Sequence, residues 1–249
     1  MHGILLQMDK NTARFRLTPK RVLFALICIS LLLFVIHVVL KYISIVVFDE
    51  KHGFLFELAN RFDMNDESSV PQWFSHMLFL SVGISGFLAG YMQTKPAARK
   101  VWYSIGVLGV LLSIDDVATL HEFALQTIHN TFYLNEAPSF FINAWWLILP
   151  VLLVPAGLIA YWGWKHLPHK TIYILIAGGL VFVLGKILMD SLANDVTDFF
   201  INQGPIQGIE KLFQYLGLSV VLFAILKYLD ENHSAKVKQA LTQLRGKER

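Results

Sequence analysis

Uncharged apolar runs constrain this chain more than any other feature. From Val22 to Leu40, and again from Val70 to Tyr91, there is no Asp, Glu, Lys or Arg. About 20 such residues cross the ~30 Å hydrocarbon core of a bilayer as a helix, which pairs its own backbone groups where water is absent. Further runs cover Val101–Ile114, Phe140–Trp164, Thr171–Gly185 and Leu212–Leu226. The expected fold is an all-α integral membrane protein, a six-transmembrane-helix bundle with spans at about 22–43, 70–91, 101–121, 140–163, 171–190 and 207–227. Residues 1–21 make a basic N-terminal segment, 22–227 the membrane domain and 228–249 a basic tail. The first run follows basic residues, as a signal peptide would. It is too long for one, and no small-x-small cleavage site follows, so it reads as an uncleaved anchor.

Composition narrows the class further. The chain is 55% hydrophobic and 16% charged, whereas soluble domains carry roughly a quarter of their residues as charge. A soluble enzyme, a disordered chain and a coiled coil are thereby excluded. The single cysteine, Cys28, excludes an intrachain disulfide and any Cys-based zinc or iron–sulfur site.

Charge sets the expected orientation. With the N-terminus inside, the inner segments hold 16 of the 21 Lys and Arg residues but only four of the 18 acids. This positive-inside bias points to N-in, C-in topology. The formal net charge of +3 hides a chain that is basic inside and acidic outside. The inner basic residues suit the bilayer and its anionic lipid headgroups, and call for no nucleic acid. Val237, Ala240, Leu241 and Leu244 recur at helical spacing among Lys236, Lys238 and Arg245, the pattern of a basic amphipathic tail helix. Phe54, Leu58 and Phe62 suggest an outer interfacial helix.

Three spans are too short unless they carry charge. Val101–Ile114 has 14 residues, and Thr171–Gly185 and Leu212–Leu226 have 15 each. At about 1.5 Å per residue they fall short of the core. The third span must take in Asp115 and Asp116, the fifth Lys186 and Asp190, the sixth Glu210 and Lys211. His76 in the second span and His37 in the first lie at similar depth. Ionisable groups therefore converge on one layer, roughly 5–10 Å below the outer interface, where charges normally face a bundle interior or a wet cavity.

Helical phase places Asp115, Thr119 and Glu122 on one face, with Asp116 and His121 to either side. Lys186, Asp190, Asn194 and Asp198 form an i, i+4 ladder, read as an ion pair or coupling stripe. Ser75, Phe79, Gly83, Gly86 and Gly90 form a largely small face that permits close helix approach. His37 reads as a hydrogen-bonded packing residue. Asp63, Asn65 and Glu67 imitate the start of a calcium loop, but Ser68 and Phe74 stand where its Gly and bidentate Glu belong. Pro150 and Pro155 predict a kink in the fourth span.

Two chemistries use the outer layer. In one, His76, Asp115, Glu122 and Glu210 ligate a divalent metal (Zn, Fe, Mg or Ca), and His121 or Asp116 acts as a general base. That would be a metal-dependent hydrolase or oxidoreductase acting on lipid. In the other, the carboxylates and the Lys186–Asp190 pair load and release protons in a proton- or cation-coupled transporter. A third alternative is a non-catalytic sensor or assembly component whose polar layer specifies packing. The sequence does not decide whether the protein is an enzyme, nor its oligomeric state.

Phe62–Glu67 with Pro71–Ser75, Ser113-Ile-Asp115-Asp116 followed by His121-Glu122, and Glu210–Gly217 together resemble an uncharacterised group of bacterial multipass membrane proteins. The third-span signature of that group is Ser-x-Asp-Glu, then His-Glu after four residues. Here Asp116 stands where Glu is usual. The resemblance implies the bacterial cytoplasmic (inner) membrane. A more distant likeness is to the alkaline-ceramidase-like membrane hydrolases, which hold zinc with Ser, Asp and three His in seven helices. Ser75, His76 and Asp115 would echo part of that set, and the late His-x-x-x-His is absent.

Overall fold

The computed structural model describes residues 18–44, 53–120, 145–195 and 207–247, with isolated positions between 123 and 131. Among them all regular structure is helical: α1 (Pro19–Tyr42), α2 (Phe54–Arg61), α3 (Val70–Tyr91), α4 (Pro96–Ala118), α5 (Trp145–His166), α6 (His169–Asp195) and α7 (Gln207–Lys247). α1, α3, α4 and the 208–232 part of α7 are long and apolar enough to cross a membrane, and 169–185 of α6 is a shorter apolar helix.

Local chemistry sets the helix starts. Thr18 caps α1 by accepting from the Arg21 amide, and Ser69 caps α3 by accepting from the Gln72 amide. Pro19, Pro71 and Pro96 stand in the first turns of α1, α3 and α4, where a missing N–H costs nothing. α3 has the expected bounds. α4 begins at Pro96, ahead of its apolar run, and ends at Ala118, after which Thr119 takes a left-handed backbone (φ 47°, ψ 37°). α5 keeps Pro150 and Pro155 inside a 22-residue helix. α7 begins at Gln207 as expected but does not end near 227. It continues for 41 residues to Lys247, roughly 60 Å at helical rise, so the tail prolongs the last span rather than forming a separate helix.

The tightest packing is between α3 and α4 and between α6 and α7, while α7 also meets α1 and α3. Glycine explains both close pairs. A Cβ on Gly86 would stand 2.8 Å from the Gly106 amide nitrogen, and one on Gly109 2.7 Å from that of Gly83. At the second crossing a Cβ on Gly217 would stand 2.7 Å from the Gly178 carbonyl oxygen. Backbone thus lies on backbone, as small residues allow in membranes. The small face expected on α3 is the one that meets α4.

That crossing fixes helix rotation. Gln72, His76, Phe79, Gly83, Gly86 and Gly90 recur at alternating spacings of four and three along α3, and Trp102, Gly106, Gly109, Ser113 and Asp116 do so along α4. Such spacing keeps one seam facing its neighbour. Met64, Leu78, Phe79, Tyr215 and Leu218 form one apolar cluster, and Val101, Trp102, Leu222, Ile225 and Tyr228 belong to a second. The second gains a ring contact between Trp102 and Tyr228 at 4.7 Å.

Candidate functional site

The seams carry polar groups to one end of the bundle. His76, two turns below the last glycine contact of α3, meets Asp116 on the matching end of α4: Nδ1 and Oδ2 are 2.6 Å apart. A carboxylate can only accept, so Nδ1 is the donor and the tautomer follows from its partner. The two side chains are 15% and 17% exposed, neither sealed in the core nor free in solvent. Ser113 donates to the His76 carbonyl oxygen at 3.1 Å, a second tie across the same seam.

Gln72, one turn before His76, completes the cluster. Its amide nitrogen donates to Asp116 Oδ1 at 3.0 Å and to the Asp116 main-chain oxygen at 3.3 Å. Its amide oxygen accepts from Lys211 Nζ of α7 at 3.1 Å. One side chain therefore links three helices. Lys211 places its charge two bonds from Asp116, which suits a carboxylate held partly out of water. Tyr215, one turn on, donates from its hydroxyl to the Pro71 carbonyl at 2.9 Å and sets its ring edge-on to Phe74 at 5.4 Å. These contacts fix the start of α3 and so the position of Gln72. Beside them Gln214 donates to Glu210 Oε1 at 3.1 Å.

Among the described residues α3, α4 and α7 bring polar groups expected in one layer into a single cluster. The partner of His76 is the difference. The expected metal set joined His76 with Asp115, whereas Asp116 is the carboxylate bonded to His76. The reason is the Gly106–Gly109 seam, which turns Asp116 toward α3 and leaves Asp115 about 100° aside. Asp116, expected as a general base, accepts from the imidazole Nδ1. Gln72 was not singled out in sequence, although the four–three spacing running back from Gly83 would have found it.

His121, Glu122 and Asp198 lie outside the described residues. Lys186 and Asp190 lie on α6, but their side chains are outside the described residues. Among the described residues no three of His, Cys, Asp and Glu stand together as a metal site. The expected set of His76, Asp115, Glu122 and Glu210 includes one residue beyond that description. Ser75, of the ceramidase-like set, is fully buried, and its hydroxyl has no hydrogen-bond partner among the described residues.

A second polar group sits at the same end, between α1 and the segment joining α2 to α3. His37 is fully buried, and its Nδ1 accepts from the Met64 amide at 3.2 Å, in keeping with its expected packing role. Asp63 Oδ1 lies 3.7 Å from the same nitrogen, and Asp63 Oδ2 pairs with Lys41 Nζ at 2.6 Å. On the adjoining turn the Ser68 hydroxyl and then the Ser68 amide hold the Asp66 carboxyl below its ordinary value.

The described residues thus form an all-helical protein with four helices long and apolar enough to cross a membrane, joined through glycine crossings and with polar groups gathered at one end. The chain belongs to the family described as Domain of unknown function (DUF8692), which it matches over residues 20–228. The match covers the helices from α1 through α6 and stops inside α7, where the apolar part of that helix ends. No curated protein and no solved structure matches the chain.

Proposed function

We propose that this protein crosses the bacterial cytoplasmic membrane six times, with both termini inside, and that the polar end of its bundle is an outward-facing acid–base site acting on lipid. The distribution of Lys and Arg supports the orientation. α5 and α6 supply the fourth and fifth spans. A cysteine at Asn135, in a chain whose Cys28 is replaced by Ser, should react with an impermeant thiol reagent in intact cells, while one at Ala97 should not. The reverse labelling would refute the orientation.

The observation that carries the functional reading is the 2.6 Å contact between His76 Nδ1 and Asp116 Oδ2. A carboxylate on one ring nitrogen fixes the tautomer and leaves Nε2 to accept and return a proton. Gln72 and Lys211 hold the carboxylate in place. The same pairing suits an imidazole that ligates a metal through Nε2. In that form of the reading Asp115, Glu210 and Glu122 add carboxylates around a divalent ion, which supplies an activated water for hydrolysis or an electron-transfer centre for oxidation. A site at the level of the outer headgroup boundary favours a lipid substrate over a soluble one.

A second reading has its own support. Because Gln72 ties α3, α4 and α7 together, a proton taken up by the His76–Asp116 pair would alter contacts among three helices. A proton-coupled transporter or sensor would use that coupling.

The test uses purified full-length protein in nanodiscs of bacterial polar lipid. Metal content is measured first, then lipid products by mass spectrometry, for wild type, His76→Gln and Asp116→Asn. Product formation lost in both variants, at unchanged melting temperature, supports the acid–base reading. Stoichiometric metal in wild type, lost in His76→Gln, supports its metal-dependent form. Absence of any lipid product, together with proton uptake in proteoliposomes that both variants abolish, would replace it with the second reading. Absence of both would overturn both.

A further inference from the structure

We infer that the segment from Phe62 to Ser69 is a plug on the polar end of the bundle and that His37 is its proton-operated latch. The plug is Met64. Its side chain is fully buried and belongs to the apolar cluster of Leu78, Phe79, Tyr215 and Leu218, so a connecting segment reaches into the core between α3 and α7. Connecting segments normally run over the surface, because their backbone groups lack partners inside. Here the Met64 amide has one, and it is a side chain that titrates.

The tautomer follows from the donor. The Met64 N–H donates to His37 Nδ1 at 3.2 Å, so Nδ1 carries a lone pair and the proton of the neutral ring is on Nε2. The Cδ2 edge of the ring lies against α7, since a Cβ on Gly208 would stand 2.9 Å from it. The ring is thereby fixed between the plug and α7. When a proton adds to Nδ1, two donors face each other where a donor faced an acceptor. The Met64 amide loses its partner. The new N–H finds Asp63 Oδ1, now 3.7 Å away, the preceding residue of the same segment. The latch thus shifts its hold by one residue, from the backbone of Met64 to the carboxylate of Asp63, and Met64 leaves the core.

The surrounding charges make that exchange feasible. Lys41, one turn along α1, holds Asp63 Oδ2 at 2.6 Å, and Oδ1, which accepts from the Asn65 amide at 3.0 Å, keeps a second lone pair to receive the imidazolium. Asp66 on the segment feels the charges of Arg61, at the end of α2, and of Lys41. On α7 the nearest charged residues to Gly208 are Glu210, bonded to Gln214, and Lys211, bonded to Gln72. Among the described residues, Asp63 is a carboxylate in reach of Nδ1. The latch uses a different imidazole from the His76–Asp116 pair, which sits on other helices.

The experiment is hydrogen–deuterium exchange of full-length protein in lipid nanodiscs, read on the peptide covering Phe62–Val70 and corrected for the intrinsic pH dependence of exchange. In wild type, protection of this peptide should fall at least about tenfold between pH 7.5 and pH 5.5, because opening is coupled to one proton. His37→Asn places an amide oxygen near the position of Nδ1 and cannot titrate, so it should keep the peptide protected at both pH values. His37→Leu removes the acceptor and should leave it unprotected at both. Wild-type protection that does not change with pH would overturn the latch. So would an equal fall in His37→Asn, since the response would then belong to another group.

Discussion

Replacing Asp116 tests the site most directly, because three side chains and two helix seams meet there. Asp116→Leu removes the acceptor of His76 Nδ1 and one of two acceptors of the Gln72 amide, which keeps the Asp116 main-chain oxygen at 3.3 Å. A partly buried charged hydrogen bond contributes about 1.5–3 kcal/mol, whereas measured pairs inside membranes average about 0.6 kcal/mol with a maximum near 1.7. Side chains 15% and 17% exposed place this pair between those limits. The expected cost of Asp116→Leu is therefore about 2 kcal/mol, and the coupling to His76 about 1 kcal/mol. Asp116→Asn keeps the volume and one acceptor oxygen and should cost less than about 1 kcal/mol. The assay is a double-mutant cycle with His76→Leu, from reversible denaturant unfolding in mixed micelles. A coupling within about 0.3 kcal/mol of zero would mean that the two residues act independently, and the oriented-imidazole argument would fail.

Other expectations follow from the same geometry. Gly109→Ala sets a methyl group against the Gly83 backbone at 2.7 Å and should cost about 1–3 kcal/mol in the same assay, whereas Gly157→Ala, with nothing within 4 Å, should be neutral or stabilise by up to about 1 kcal/mol. Thr119→Gly relieves a left-handed β-branched residue (φ 47°) and should raise the melting temperature, by a gain of about 1 kcal/mol; a lower melting temperature would show that the Thr119 side chain holds the end of α4. The Asp66 carboxyl is held below its ordinary value of 3.8, first by the Ser68 hydroxyl, so its contribution to the 62–69 turn is complete above that value and is lost as pH falls through the lowered one. Ser68→Ala should therefore raise the pH at which this turn loses exchange protection, and an unchanged acid profile would refute the assignment.

Helix identity, and the presence of helices apolar enough to cross a membrane, were legible in the chain alone. Uncharged runs such as 70–91 can bury their backbone in lipid only as helices. At the start of α3, Ser69 and Pro71 act through local bonds. What the chain could not specify was rotation. Whether Asp115 or Asp116 faces His76 depends on which side of α4 meets α3, and that is set by backbone contact at Gly83, Gly86, Gly106 and Gly109, a property of two helices together. The same holds for Gln72, an ordinary polar residue until Lys211, 139 positions later, arrives against it, and for Met64, whose amide finds His37 27 positions earlier. Hydrophobic periodicity is a one-dimensional signal and selects elements. The pairing of polar groups across elements is fixed only when close packing leaves each seam a single rotation.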